Sequence, residues 1–182
     1  MKLDAARLPA LIDDLDAAAR EARAAFASES AGWSRGPVGK WTAGQHLAHA
    51  AIMLDTGAGK FEEAERALAA GTLAAKPWRD PIQALVMHML TRERFPRGGR
   101  APAFGVPGPT GSREQTLAQL DQGAARLRAL TQRLPAADAG RIWIWNPYAP
   151  QMRWHYTLPE MLRVQASHIR HHLRMAREAA GI

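Results

Sequence analysis

Cysteine is absent from all 182 positions of the chain. That excludes disulfides, a catalytic thiol and any cysteine-ligated metal or iron–sulfur site, and it leaves His, Asp and Glu as the strong ligands available. Long apolar runs are also missing. The first thirty residues already carry Asp4, Asp13, Asp14, Asp16, Glu21 and Glu29, so neither a signal peptide nor a membrane span is expected, and a cytoplasmic protein is. A nucleotide-binding fingerprint is lacking too: Gly98, Gly99, Gly105, Gly108 and Gly111 follow no strand pattern and match neither phosphate-loop spacing. No repeat period recurs along the chain.

What is present is an Ala- and Arg-rich sequence, 47% hydrophobic, with a formal net charge of +7. This length and apolar share suffice for one substantial core, and no composition shift divides them, so 1–182 is expected to be a single domain. Arg92, Arg94, Arg97 and Arg100 cluster around one loop. No recognition motif accompanies the charge, so it is read as a solvated surface and a nucleic-acid partner is not expected.

Leu8, Leu11, Ile12, Leu15, Ala18, Ala19, Ala22 and Phe26 recur at helical spacing and predict a first helix over about 4–28. Gly36, Pro37 and Gly39 break it. Thr42 with Gln45 three positions on is a capping-box pattern that starts a second helix, apolar on nearly every side over 47–54 except at His49. Its second half, 61–70, is amphipathic. Asp80 followed by Pro81 starts a short crossover helix through Ile82, Leu85, Val86, Met89 and Leu90. The Gly- and Pro-rich run 95–111 is long enough to read as a site-covering loop. Ser112 with Gln115 opens a third long helix with Leu117, Leu120, Ala124, Leu127, Thr131 and Leu134 on one stripe, closed by Pro135. Aromatic residues concentrate over 142–156, a pattern that suits a small clasp or two-stranded hairpin at one end of the helices. Thr157 with Glu160 opens the last helix, 157–180. Four long helices and one short extra one predict an all-α fold, an antiparallel four-helix bundle with a long crossover.

Three histidines ride on the last helix. His168 and His172, four apart, border the apolar stripe of Leu158, Leu162, Ile169, Leu173, Ala176 and Ala180. Arg163, Ser167, Arg170, Arg174 and Arg177 fall roughly opposite, on an expected wet face. Two imidazoles one turn apart can reach a single ion, and a third ligand must then come from another helix. His49 is the better candidate, because an imidazole inside so apolar a stretch needs a partner. His46 and His171 are expected at the rim or on the surface, and His88 and His155 read as ordinary histidines.

Trp41-Thr42, then Gly44-Gln45-His46-Leu47-Ala48-His49, and His168-Ile169-Arg170-His171-His172-Leu173 give the chain a resemblance to the DinB/YfiT-like superfamily. The resemblance spans nearly the whole sequence. It implies a four-helix bundle, a frequent homodimer, and a divalent metal, such as Zn, Ni, Fe or Mn, held by His49, His168 and His172. Some relatives carry His-Pro where this chain has Asn146-Pro147. Several relatives transfer thiols, so the resemblance implies a thiol-dependent transferase acting on a small-molecule substrate with an exogenous low-molecular-weight thiol activated by the metal. Arginines of the 92–100 loop are candidates to hold that thiol's carboxylates. The alternatives are a metal-dependent hydrolase, or a non-catalytic metal-binding, ligand-binding or interaction bundle. Hydrolysis requires a general base, and no Asp or Glu adjoins either histidine motif.

Overall fold

The computed structural model describes residues 7–28, 32–95 and 101–182. Among them the chain is all-α apart from one small sheet: α1 (Leu8–Ala25), α2 (Ala43–Ala69), α3 (Pro81–Leu90), α4 (Arg113–Arg133), α5 (Ala136–Ala139) and α6 (Leu158–Ala180). Strands β1 (Trp143–Trp145) and β2 (His155–Thr157) pair antiparallel, with Ile144 opposite Tyr156. Of the long helices, α1 packs on α4 and α6, and α2 packs on α4 and α6. Among the described residues no helix is long and apolar enough to cross a membrane.

The starts of the long helices follow the local signals. Thr42 Oγ1 accepts the Gln45 backbone N–H at 3.2 Å, while Gln45 Oε1 accepts the Thr42 N–H at 2.9 Å, so two orphan donors at the start of α2 are satisfied. At the start of α6, Glu160 accepts both the N–H and the hydroxyl of Thr157, at 2.9 and 2.8 Å. The same carboxylate pairs with Arg79, which ties the segment before α3 to α6. Ser112 caps α4 through Gln115 N, but its hydroxyl donates to Glu114 at 3.1 Å, so the reciprocal half of the expected box is replaced.

Three expectations are corrected. The first helix is shorter than 4–28: residues 4–6 lie outside the described residues, and the chain leaves α1 at Phe26, whose ring is fully buried. A second short helix, α5, follows Pro135. The supposed wet face of α6 is covered in part, because α1 packs against it, while Arg174 and Arg177 stay exposed. Arg163 and Arg170 pair with Asp14, Arg170 also reaches Glu21, and Ser167 is fully buried. A helical wheel cannot register an acidic partner 149 residues away in sequence.

The run 95–111 approaches the N-terminal end of α2. Thr110 Oγ1 lies 2.7 Å from Thr42 Oγ1, Gly108 O accepts Gln45 Nε2–H at 2.9 Å, and Gly111 O accepts Trp33 Nε1–H at 2.9 Å. A 3-10 turn at Ala103–Gly105 lies within it, and residues 96–100, including Arg97 and Arg100, lie outside the described residues.

Candidate metal centre

His49 lies in the second turn of α2, held there by the Thr42 cap, and His168 and His172 stack one turn apart on α6. One ring nitrogen from each of the three comes within 4.8 Å of the others. The ring centroids are 5.2 Å apart for His49 and His168, 4.6 Å for His49 and His172, and 4.5 Å for His168 and His172. Among the described residues no other His, Asp or Glu joins this cluster. His88 is exposed. His155 is buried beside Trp143 and Trp145, away from the cluster, with Nδ1 unpartnered.

The hydrogen bonds decide which nitrogen each ring offers. His49 Nδ1 lies 2.6 Å from Gly105 O. A carbonyl only accepts, so Nδ1 carries the proton and Nε2 keeps its lone pair, the usual arrangement behind a metal-binding imidazole. His172 Nδ1 is engaged with His46 Nδ1 at 3.3 Å. His168 Nδ1 is sealed in protein without a partner, whereas the Nε2 atoms of His49, His168 and His172 are neither bonded nor sealed. Each ring thus keeps an unengaged nitrogen, one nitrogen from each ring lies within 4.8 Å of the others, and the donor set suits a divalent ion.

Burial keeps these rings neutral. It lowers His168 to about 3, with the charges His49 and His171 would carry adding to the effect, and it lowers His46 to about 4. It lowers His49 as well, against the opposing hydrogen bond from Gly105, and His172, which three neighbouring histidines depress further alongside His46. A neutral imidazole has a free lone pair, so no proton has to be displaced at neutral pH.

The cluster sits on the wall of a cleft of about 1210 Å³. Trp41 walls one side, 5.0 Å from His49 and 5.4 Å from His46 between ring centroids. Phe95 stacks on His171 at 4.7 Å and reaches His168 at 5.6 Å, so the first residue of the 95–111 run lies against the site. On the inner wall Tyr148 donates its hydroxyl to Met53 O at 2.8 Å and accepts from Gln165 Nε2 at 2.5 Å. Burial raises the Tyr148 phenol well above its ordinary value, so it stays protonated. Asn146 does not face the histidines: its Oδ1 accepts the Tyr148 N–H at 2.9 Å, forming the turn that carries Tyr148 inward.

His171 lines the cleft, partly exposed, with Nδ1 3.0 Å from Arg174 Nη2. The rim placement expected for His46 is corrected: its ring is 7% exposed and packs on His172. Its position in the first turn of α2 suggested access to water, but α6 covers all of it except the edge that faces the cleft. Sequence reasoning also missed the Gly105 carbonyl and Gly57. A Cβ on Gly105 would lie 2.8 Å from Met53 Sδ and 3.3 Å from His49 Cε1, so a side chain there would make the methionine and the imidazole shift. A glycine in a Pro-rich run was the available signal, and nothing in it pointed to His49.

The family model of the DinB superfamily matches residues 2–176. No curated protein matches the chain, and no solved structure does. With nearly its whole length covered and three histidines positioned for a divalent ion, the chain belongs to the DinB superfamily.

Proposed function

We propose that the chain is a metal-dependent transferase that joins an exogenous low-molecular-weight thiol to a small electrophile, with His49, His168 and His172 as the protein ligands. The observation that carries this reading is the donor set: three neutral imidazoles, no fourth protein side chain among the described residues, and no cysteine in the sequence. A divalent ion there, Zn, Ni, Fe or Mn, would lower the pKa of a coordinated thiol and hold it as thiolate. The three histidines orient that group, and Trp41 and Phe95 limit the water around it. The thiol proton passes to water, the sulfur electron pair forms the new S–C bond, and the electrophile's leaving group departs with the electrons of the bond that breaks.

Charge at the mouth supports an acidic thiol. Lys40 and Arg174 both line the cleft, and neither has a carboxylate partner among the described residues. Of the 92–100 arginines, Arg92 and Arg94 do not line the cleft, and Arg97 and Arg100 lie outside the described residues, so Lys40 and Arg174 are the candidates among the described residues to hold its carboxylates. Hydrolysis is less well served. Among the described residues the one carboxylate lining the cleft is Glu178, six residues past His172 and so about 9 Å along the helix axis. The reading also includes a single-domain antiparallel four-helix bundle, a cytoplasmic location and a homodimer, the last supported by the exposed apolar side chains of Trp78, Ile82 and Leu85.

The test begins with metal content after purification without chelator or histidine tag. Wild type and His171→Ala should hold one ion per chain, and His49→Ala and His172→Ala far less. Protein loaded with Co²⁺ should then develop a thiolate charge-transfer band when glutathione, bacillithiol or mycothiol is added. Metal binding without any such band or thiol-dependent turnover would shift the reading to hydrolysis or ligand binding. Equal metal content in all four proteins would refute the ligand assignment and favour an interaction bundle.

A further inference from the structure

His46 is the one buried histidine beside the cluster that does not belong to it. It sits three residues before His49 on α2, within the first turn set by the Thr42 cap, so the two rings leave the helix on neighbouring sides. His49 reaches both His168 and His172, whereas His46 meets His172 alone, Nδ1 to Nδ1 at 3.3 Å. Trp41 lies edge-on to His46 at 5.4 Å and tilted over His172 at 6.3 Å, confining both rings. No other side chain or carbonyl among the described residues offers either Nδ1 a hydrogen bond.

Two neutral imidazole nitrogens at this distance share one proton, and its owner decides whether His172 can serve as a ligand. Were the proton on His46 Nδ1, His172 Nδ1 would accept it, and the proton of His172 would sit on Nε2, blocking the nitrogen that opens on the cleft. Were it on His172 Nδ1, that Nε2 would be a lone pair, and His46 would carry its own proton on Nε2. The second arrangement is the one already fixed at His49, where Gly105 O holds the Nδ1 proton. The His46 Nε2 is neither bonded nor sealed, so a proton there meets solvent in the cleft.

We propose that His46 is a positioning residue of the metal centre: its Nδ1 accepts the Nδ1 proton of His172 and so keeps the Nε2 of His172 free for the ion. This rests on the proposed ligand set, and its test does not depend on the thiol chemistry. An imidazole in the acceptor role ordinarily filled by a carbonyl or carboxylate fixes the tautomer of a ligand without adding a negative charge to the site.

The test uses Zn²⁺ alone. Affinity is measured by chelator competition for wild type, His46→Leu and His46→Asn, since the asparagine Oδ1 can occupy the place of Nδ1 and accept the same proton. His46→Leu should weaken Zn²⁺ binding by about 10- to 100-fold. His46→Asn should recover most of that loss. Long-range ¹H–¹⁵N spectra of the wild-type Zn²⁺ protein should show His172 protonated at Nδ1 and His46 at Nε2. The proposal is overturned by His46 protonated at Nδ1, by ¹⁵N shifts that mark His46 as a fourth ligand, or by His46→Asn binding no better than His46→Leu. Unchanged affinity in His46→Leu also overturns it. Should the leucine variant fail to fold, the wild-type spectra still decide. Absence of Zn²⁺ binding by wild type would fail the underlying ligand assignment, a result distinct from a wrong tautomer.

Discussion

Replacing Gly57 by alanine adds one methyl group to the interior of α2, and the surroundings determine its cost. The new Cβ would lie 2.7 Å from Tyr148 Oη and 3.3 Å from both Gln165 Nε2 and Met161 Sδ. The phenol must withdraw, and its 2.8 Å hydrogen bond to Met53 O is lost with it. Helix propensity by itself favours alanine by about 0.8–1 kcal/mol. Overpacking opposes this with about 1–3 kcal/mol, and a buried hydroxyl left without its acceptor adds about 1–3 kcal/mol. The balance is a loss of roughly 1–5 kcal/mol, against a propensity argument that predicts a gain. A Tyr148→Phe background separates the two. With the hydroxyl gone, Gly57→Ala should cost less than about 1 kcal/mol, so the pair should couple by about 1–3 kcal/mol. Urea unfolding of the metal-free wild type, both single variants and the double variant measures this, provided the denaturant slopes agree. Equal cost in both backgrounds, or a more stable Gly57→Ala protein, would refute the steric reasoning.

Two further outcomes are expected. Burial lowers His46 to about 4 and His168 to about 3, below the ordinary 6.5, so between those values the unfolded chain binds protons that the folded chain refuses. Stability from these groups is therefore full above about pH 6.5 and falls as the pH drops toward 4 and 3. The urea midpoint of metal-free protein should decline across that window, less steeply in His168→Asn, and a flat profile would contradict the burial argument. Glu160→Ala should cost about 2–4 kcal/mol, because it strands the half-buried Arg79 and frees the Thr157 N–H. The exposed Arg133 to Glu65 pair sets the contrast: Arg133→Ala should leave the urea midpoint close to that of the wild type.

Local chemistry made much of this molecule readable in advance. Thr42 with Gln45, Asp80 before Pro81, and Thr157 with Glu160 mark helix starts because a cap and its orphan N–H lie three residues apart, within the reach of a short pattern. The phase of α6 turned His168 and His172 inward for the same reason. What stayed hidden depends on contacts between distant segments. His46 resembled a first-turn histidine open to water until His172, 126 residues later, closed over it. Ser167 and Arg170 fell on a polar stripe, and only the packing of α1 shows that part of the stripe to be covered. Asn146 matched the position where relatives carry histidine, yet it serves the turn that aims Tyr148, a role that becomes apparent once the backbone path is known.

The 2.6 Å bond from His49 to Gly105 joins a ring on one helix to the backbone of a distant segment. The ring belongs to α2 and the carbonyl to the loop, so a displacement of the loop removes the acceptor that fixes the ring. Any factor by which the Gly105 contact tightens the grip of His49 on a ligand is, by thermodynamic reciprocity, the factor by which that ligand favours the contact. A substrate that wedges Phe95 or Gly105 aside would thereby loosen His49, while one that seats the loop would strengthen it. Occupancy of the cleft and firmness of the site would then be one measurement taken from two ends.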